Sequence, residues 1–168
     1  MTTPSAPVLT ISRTFAAPLE LVWRVWTEQA HLGHWMSPAG MQQVSSALDL
    51  RPGGTFHYGL KTPDGQEMWG RWVFREIDPP HRLEFVQSFS DAAGGMGRNP
   101  MTPIWPQETL STMTLTQQGG HTTLLLRSTP INASEIELQT FADAISSMEQ
   151  GWGGTLTQLE AYLTAAQT

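Results

Sequence analysis

Apolar residues recur at helical spacing through the C-terminal stretch, residues 134–165. They are three or four positions apart, which places them on one stripe of a 3.6-residue helix. The stripe has eight members: Leu138, Phe141, Ile145, Met148, Trp152, Leu156, Leu159 and Leu163. Ser134 and Glu137 form the pattern of a capping box at its start. The pattern predicts one long amphipathic helix, which needs a concave partner to cover its apolar stripe.

Three glycines, Gly151, Gly153 and Gly154, fall inside this predicted helix. Each is about 1 kcal/mol less favourable than Ala in a helix interior. They indicate either a close approach of another element or a kink beside Trp152. The sequence leaves both interpretations open.

Most of the remaining chain alternates between apolar and polar residues, as half-buried strands do. Residues 8–15 form the first such segment. Pro18 then suits the first turn of a short helix, and a second short helix or turn covers residues 28–35. Six further strands follow, at residues 43–50, 55–60, 66–77, 81–89, 108–117 and 121–128. Because short turns join most of them, the pattern predicts an antiparallel sheet with one face against the C-terminal helix.

Residues 90–107 interrupt this order with three Gly, three Pro and two Met. A loop of this length is uncommon in a compact domain and is usually functional or disordered. It is either a flexible insertion or a mobile lid over a pocket. As a lid it would carry Met96, Met101, Ile104 and Trp105.

Composition restricts the class of protein. The 168 residues fit one domain, which we expect at residues 8–165 after a frayed segment at 1–7. The absence of cysteine excludes disulfides and Cys-ligated metals. The net charge of −6 argues against a nucleic-acid surface. No stretch has the pattern of a membrane span or a secretory signal, so we expect a cytoplasmic protein.

Catalytic and cofactor motifs are absent, and we expect neither a cofactor nor a metal. His31 and His34 lie on one face of the second short helix, but no third metal ligand accompanies them. Glu108 opens a strand beside the long loop and is a candidate acid at the rim of a pocket. The sequence alone therefore assigns no catalytic residue.

Several short motifs occur in a characteristic order along the chain. They are ISRTF at 11–15, AP at 17–18, VW at 22–23, HW at 34–35, RPGG at 51–54, EIDPP at 76–80, RL at 82–83 and GW at 151–152. Together they resemble the bacterial START-like proteins of the activator-of-Hsp90-ATPase-homologue group, within the Bet v 1-like, polyketide-cyclase-like superfamily. The resemblance covers about residues 8–165. Met36 departs from it, because relatives often have Trp there.

The resemblance implies an α+β helix-grip fold. In that fold a curved seven-stranded antiparallel sheet wraps around the long C-terminal helix, with two short helices after the first strand and a cavity between helix and sheet. Fold alone does not assign function, so the site has to be argued from its residues.

Strand alternation and the helix stripe predict which side chains line this cavity. The candidates are Trp35, Phe56, Tyr58, Met68, Trp72, Phe74, Phe85, Gln87, Ser111, Met113, Met148 and Trp152. The alternative is that they form a solid hydrophobic core. Tyr58, Gln87 and Ser111 are the polar members, and a pocket needs a few such groups to orient a ligand. A β-bulge in the strand at 66–77 would exchange Trp69 with Trp72.

A cavity without paired titratable groups favours binding of a small hydrophobic or amphipathic molecule. One alternative is a cyclase- or hydrolase-type enzyme that uses Tyr58 or Glu108 as acid or base. Another is a chaperone-associated interaction domain, which an exposed apolar patch around Trp69 and Val73 would favour. A homodimeric assembly is left open.

Overall fold

The computed structural model describes residues 6–37, 40–97, 99 and 102–167. The order of its elements is β1 (Leu9–Phe15), α1 (Leu19–Thr27), α2 (Gln29–Trp35), β2 (Gln42–Leu48), β3 (Thr55–Lys61), β4 (Glu67–Asp78), β5 (Arg82–Ser90), β6 (Glu108–Gln118), β7 (His121–Ile131), α3 (Glu135–Asp143) and α4 (Ile145–Ala166). The predicted helix-grip fold class is confirmed, and every predicted strand is present within three residues of its expected ends. Most of the segment 1–7 lies outside the described residues.

The seven strands form one antiparallel sheet in the order β1-β7-β6-β5-β4-β3-β2. The first strand therefore lies beside the last, and β2 lies at the far edge. In β4 the register shifts between Phe74 and Glu76, which places the bulge beyond Trp72. The alternation up to that point is intact, so Trp72 is buried while Trp69 lies on the opposite face.

The C-terminal stretch is not one helix, and the prediction of a single helix was wrong at one position. Ala144 ends α3 and precedes α4, with its N–H bonded to the carbonyl of Phe141 in a tighter, three-residue turn. The predicted capping box is confirmed: the Ser134 hydroxyl accepts from the N–H of Glu137 at 3.3 Å. No glycine or proline lies at the break, and the apolar spacing continues across it from Phe141 to Ile145. The sequence pattern therefore gave no sign of the break.

The three glycines of α4 have open space around them. A methyl group added at Gly151, Gly153 or Gly154 would meet nothing within 4 Å. The interpretation as a close-approach site is therefore wrong, and α4 runs through all three as helix. No helix among the described residues is long and apolar enough to cross a membrane.

Four indole side chains connect the helices to the sheet. Trp26 of α1 is fully buried, with its ring centroid 4.9 Å from Trp35, 6.2 Å from Trp72 and 6.3 Å from Trp152. Trp35 donates its Nε1–H to the carbonyl of Val25 at 2.9 Å. This cluster joins α1, α2, β4 and α4 into one core, and two of its members, Trp72 and Trp152, border the space described next.

Candidate functional site

Two cavities lie between the sheet and α4. The larger has a volume of about 470 Å³ and the smaller about 320 Å³. Five residues border both of them: Tyr58, Leu60, Gln87, Met148 and Trp152. The two spaces are therefore lobes of one cleft, and we call these five shared residues the waist.

The larger lobe extends from the waist towards α3 and the long loop. Its border includes Phe89, Thr109, Trp105 and Phe141. The pairing of β5 with β6 ends at Gln87 and Thr109. The larger lobe is also bordered by four residues of the long loop, Asn99, Thr102, Trp105 and Pro106. Trp105 packs on Phe141 with ring centroids 5.6 Å apart. This contact joins the loop to α3 over the cleft.

The long loop brings only part of its predicted lid residues to the cleft. Trp105 borders the larger lobe, whereas Met96 and Ile104 are 43% and 47% exposed. Met101 lies outside the described residues. Independent motion of this segment stays a prediction.

The smaller lobe extends from the waist towards α2. Its border includes Met36, Gln43, Trp72 and Thr155. Met36 gives this end of the cleft a flexible thioether side chain. Met adapts its shape to irregular spaces more easily than an aromatic residue does.

The predicted site residues divide into two groups. Six border the cleft: Tyr58, Met68, Trp72, Gln87, Met148 and Trp152. Six lie in the packed core and border neither lobe: Trp35, Phe56, Phe74, Phe85, Ser111 and Met113. In this second group the Ser111 hydroxyl lies 2.7 Å from that of Ser128, so the two satisfy each other. Strand alternation identified the inward face correctly but not how deeply each position is covered.

Several cleft residues were not in the predicted set. Phe141 belongs to the helix stripe, but only the break at Ala144 turns α3 so that it closes the larger lobe. Leu60 follows Phe56 and Tyr58 by the same alternation and could have been found by extending that pattern. Trp105 was proposed only as a lid residue, and no local pattern links it to Phe141.

Tyr58 lies in the waist because β4 has a glycine opposite it. Tyr58 and Gly70 are cross-strand partners, and a methyl group on Gly70 would come within 2.5 Å of the Tyr58 hydroxyl oxygen. Burial raises the pKa of the Tyr58 hydroxyl, while the side chains of Gln87 and Trp72 act in the opposite direction. Tyr58 is therefore a neutral hydroxyl at neutral pH.

The indole of Trp72 borders the smaller lobe beside these groups. Trp72 and Gln87 are cross-strand partners, so both belong to the same part of the sheet. The Trp72 Nε1 is buried and has no partner in hydrogen-bond geometry among the described residues. An indole N–H can only donate, and the Trp72 side chain lowers the pKa of the Tyr58 hydroxyl as a hydrogen-bond donor would.

The described residues that border the two lobes include no Asp, Glu, Lys, Arg or His. Three polar side chains, from Tyr58, Trp72 and Gln87, supply hydrogen bonding near the waist. Uncharged polar residues also border each lobe away from the waist: Ser88, Asn99, Thr102, Thr109, Ser128 and Ser147 in the larger, and Ser37, Gln43 and Thr155 in the smaller. The cleft can therefore hold a neutral, mainly apolar molecule.

The candidate histidines lie elsewhere, where α2 meets α4. The Nδ1 of His31 is 2.6 Å from the hydroxyl of Tyr162, and the ring of His34 stacks on Tyr162 at 5.5 Å. Among the described residues there is no group of three His, Cys, Asp or Glu placed to hold a metal ion.

The sequence matches the family described as Activator of Hsp90 ATPase homolog 1-like protein over residues 16–164. The chain belongs to this family. The resemblance drawn from the short motifs is thereby confirmed, and the family supports a ligand-binding fold in general without identifying a ligand.

Solved bacterial structures agree with this family assignment. A Mycobacterium smegmatis protein is 29% identical, with a TM-score of 0.75 and coverage of 94% of this chain and 91% of that one. An Arthrobacter aurescens protein is 27% identical, with a TM-score of 0.78 and coverage of 95% and 87%. A Nitrosomonas europaea protein is 26% identical, with a TM-score of 0.73 and coverage of 95% of each chain. A search of curated proteins found no match.

Proposed function

We propose that this family member binds a small, mainly apolar molecule in the cleft between the sheet and α4. The observation that carries this proposal is the two-lobed space, bordered mostly by apolar and aromatic side chains with polar groups at its waist. Small-molecule sites commonly have this composition, with a few polar groups that fix the orientation of the ligand.

The size of the space supports a ligand rather than imperfect packing. Protein interiors are close-packed and contain few voids larger than a water molecule. The larger lobe alone has about 470 Å³, whereas one water occupies about 30 Å³ in the liquid. A volume of several hundred Å³ is typical of pockets for small organic molecules.

An enzymatic function receives less support from the same residues. Glu108, one candidate acid, borders neither lobe and accepts a hydrogen bond from the Asn132 amide at 3.3 Å. The other candidate, Tyr58, has a raised pKa and stays protonated, so it is a poor base at neutral pH. The described cleft therefore offers a hydrogen-bonding hydroxyl but no carboxylate or imidazole.

An interaction domain with an apolar patch around Trp69 also receives less support. Trp69 is half-buried and stacks on His57 with ring centroids 5.2 Å apart. His57 donates from Nε2 to the carbonyl of Asp91 at 2.8 Å, so the start of the long loop lies against this outer face. The apolar surface near Trp69 is therefore partly covered within the chain.

Titration with the neutral fluorescent probe N-phenylnaphthylamine tests the proposal. The native protein is expected to enhance its emission saturably. Met148→Trp places a large ring between the two lobes and is expected to weaken binding at least about 10-fold. Glu149→Trp is the matched control, because Glu149 is exposed and borders neither lobe. Absence of saturable binding to the native protein, or equal losses in the two variants, would refute the cleft as the binding site.

A further inference from the structure

We propose that the waist selects an uncharged ligand with an oxygen acceptor, such as a carbonyl, near its middle. This inference rests on the proposed binding function and specifies the chemistry of the ligand. It follows from three observations: polar side chains at the waist, the absence of charged side chains from the described lining, and two lobes that meet at the polar groups.

The unpartnered donor is the Nε1–H of Trp72. Trp72 is 2% exposed, and its Nε1 has no partner in hydrogen-bond geometry within the described part of the chain, yet the residue borders the smaller lobe. A buried donor without an acceptor is unfavourable, and most such groups in proteins are satisfied by protein or water. The Trp72 Nε1 has almost no accessible surface, and the Trp72 side chain acts on the Tyr58 hydroxyl, whose pKa it lowers. The donor offered to a ligand oxygen is therefore the Tyr58 hydroxyl, which borders both lobes.

Two further polar groups lie at the same place. Tyr58 carries a hydroxyl that can donate, and the Gln87 amide can both donate and accept. All three side chains come from neighbouring strands of the sheet, β3, β4 and β5. The α4 side of the waist consists of Met148 and Trp152. A ligand is therefore expected to direct its oxygen to the sheet and its apolar surface to α4.

The charge of the lining restricts the ligand further. No charged side chain borders either lobe among the described residues. A charged ligand would lose its hydration without gaining a counter-ion from the described lining, which is strongly unfavourable. The net charge of −6 on the whole chain disfavours anions in addition. A neutral acceptor such as a ketone, ester or amide oxygen meets both conditions.

The position of the acceptor within the ligand follows from the shape of the cleft. Tyr58 and Gln87 border both lobes, so the polar groups lie between the two spaces and not at the end of one. A ligand that fills both lobes therefore presents its middle to them. We expect recognition of an oxygen near the middle of the ligand.

Four probes that share two phenyl rings test this selectivity by isothermal titration. Benzophenone has a central carbonyl, diphenylmethane has no oxygen, diphenylacetate is anionic and protonated aminodiphenylmethane is cationic. Benzophenone is expected to bind about 3- to 10-fold more tightly than diphenylmethane, the gain expected from one net hydrogen bond. Both ions are expected to bind more weakly than diphenylmethane.

Two variants test whether side chains at the waist cause the tighter binding of benzophenone than of diphenylmethane. Trp72→Phe and Tyr58→Phe are each expected to reduce the preference for benzophenone, with little change for diphenylmethane. Trp26→Phe is the matched control, because its Nε1 is also buried and unpartnered but borders neither lobe. Tyr58→Phe removes one oxygen atom and so keeps the test valid if Trp72→Phe fails to fold.

The outcomes separate the two proposals. Saturable binding of diphenylmethane without any preference for benzophenone, or with tighter binding of either ion, would overturn the selectivity and leave the cleft as a binding site. A preference for benzophenone that persists in both Trp72→Phe and Tyr58→Phe would also overturn it. Failure of all four probes, together with N-phenylnaphthylamine, to bind would overturn the proposed function and the selectivity together.

Discussion

Single residues in the waist combine structural and recognition roles. Trp152, at the centre of the helix stripe, is half-buried: one side of its indole stacks on Trp26 and the side chain also borders both lobes. Tyr58 stacks on Phe56 at 5.1 Å and carries its hydroxyl into the waist. These side chains contribute to the core with their apolar surfaces and leave polar or apolar edges for a ligand.

Burial of Tyr58 has a consequence for stability at alkaline pH. Its pKa is raised above the ordinary value of 10.0 in the folded protein, so the native state holds this proton more tightly than the unfolded chain does. The stabilisation is fully present below about pH 10 and is lost as the pH rises through the folded pKa. Urea unfolding at pH 8 and pH 11 should therefore show a smaller loss of stability in Tyr58→Phe than in the native protein.

A steeper or equal loss in Tyr58→Phe would contradict this assignment.

At the scale of the element, α4 carries a local weakness where it borders the cleft. Gly151 borders the smaller lobe, and Gly153 and Gly154 follow within the next turn. Glycine increases the conformational freedom of the unfolded chain and lacks a side chain to cover the helix backbone. Because nothing packs against these three positions, their presence lowers helix stability without a compensating contact.

Gly151→Ala and Gly154→Ala are each expected to raise the free energy of unfolding by about 0.5–1 kcal/mol. Gly70→Ala is the matched contrast, since its new methyl group would meet the ring of Tyr58 at 2.5 Å and should destabilise the protein. Urea midpoints of the three variants check the prediction. Destabilisation by the two α4 substitutions would reveal a structural requirement for glycine that the described contacts do not contain.

At the scale of the whole molecule, the space under the sheet is divided into a solid part and an open part. Leu156, Leu159 and Leu163 of α4 are buried in the same core cluster as α1 and the strands. The N-terminal half of α4, with Met148 and Trp152, borders the cleft instead. One helix therefore packs against the core at one end and leaves room for a ligand at the other.

Met113→Trp distinguishes these two parts. Met113 is 0% exposed and borders neither lobe, so a larger ring should overpack the core and cost about 1–3 kcal/mol. Binding of N-phenylnaphthylamine should persist at a temperature at which the variant is folded. The opposite pattern, unchanged stability with lost probe binding, would place the ligand space next to Met113. Unfolding curves and probe titrations of Met113→Trp and Met148→Trp give the comparison directly.

The sequence by itself determined the elements and the faces of this protein. Apolar residues repeat with the period of a strand or a helix because one side of each element meets the core. The alternation therefore correctly predicted that Tyr58, Trp72 and Gln87 point inward. Capping at Ser134 depends on neighbours three residues away and was equally readable. The order of short motifs, which local physics does not explain, identified the family.

Only the tertiary structure decided where the inward face is filled and where it is open. Phe85 and Gln87 lie on the same face of one strand, yet one is in the solid core and the other borders the cleft. Their difference depends on the part of a distant helix that covers each of them, and alternation carries no information about that depth. The turn at Ala144 and the contact of Trp105 with Phe141 are likewise set by packing between segments far apart in sequence.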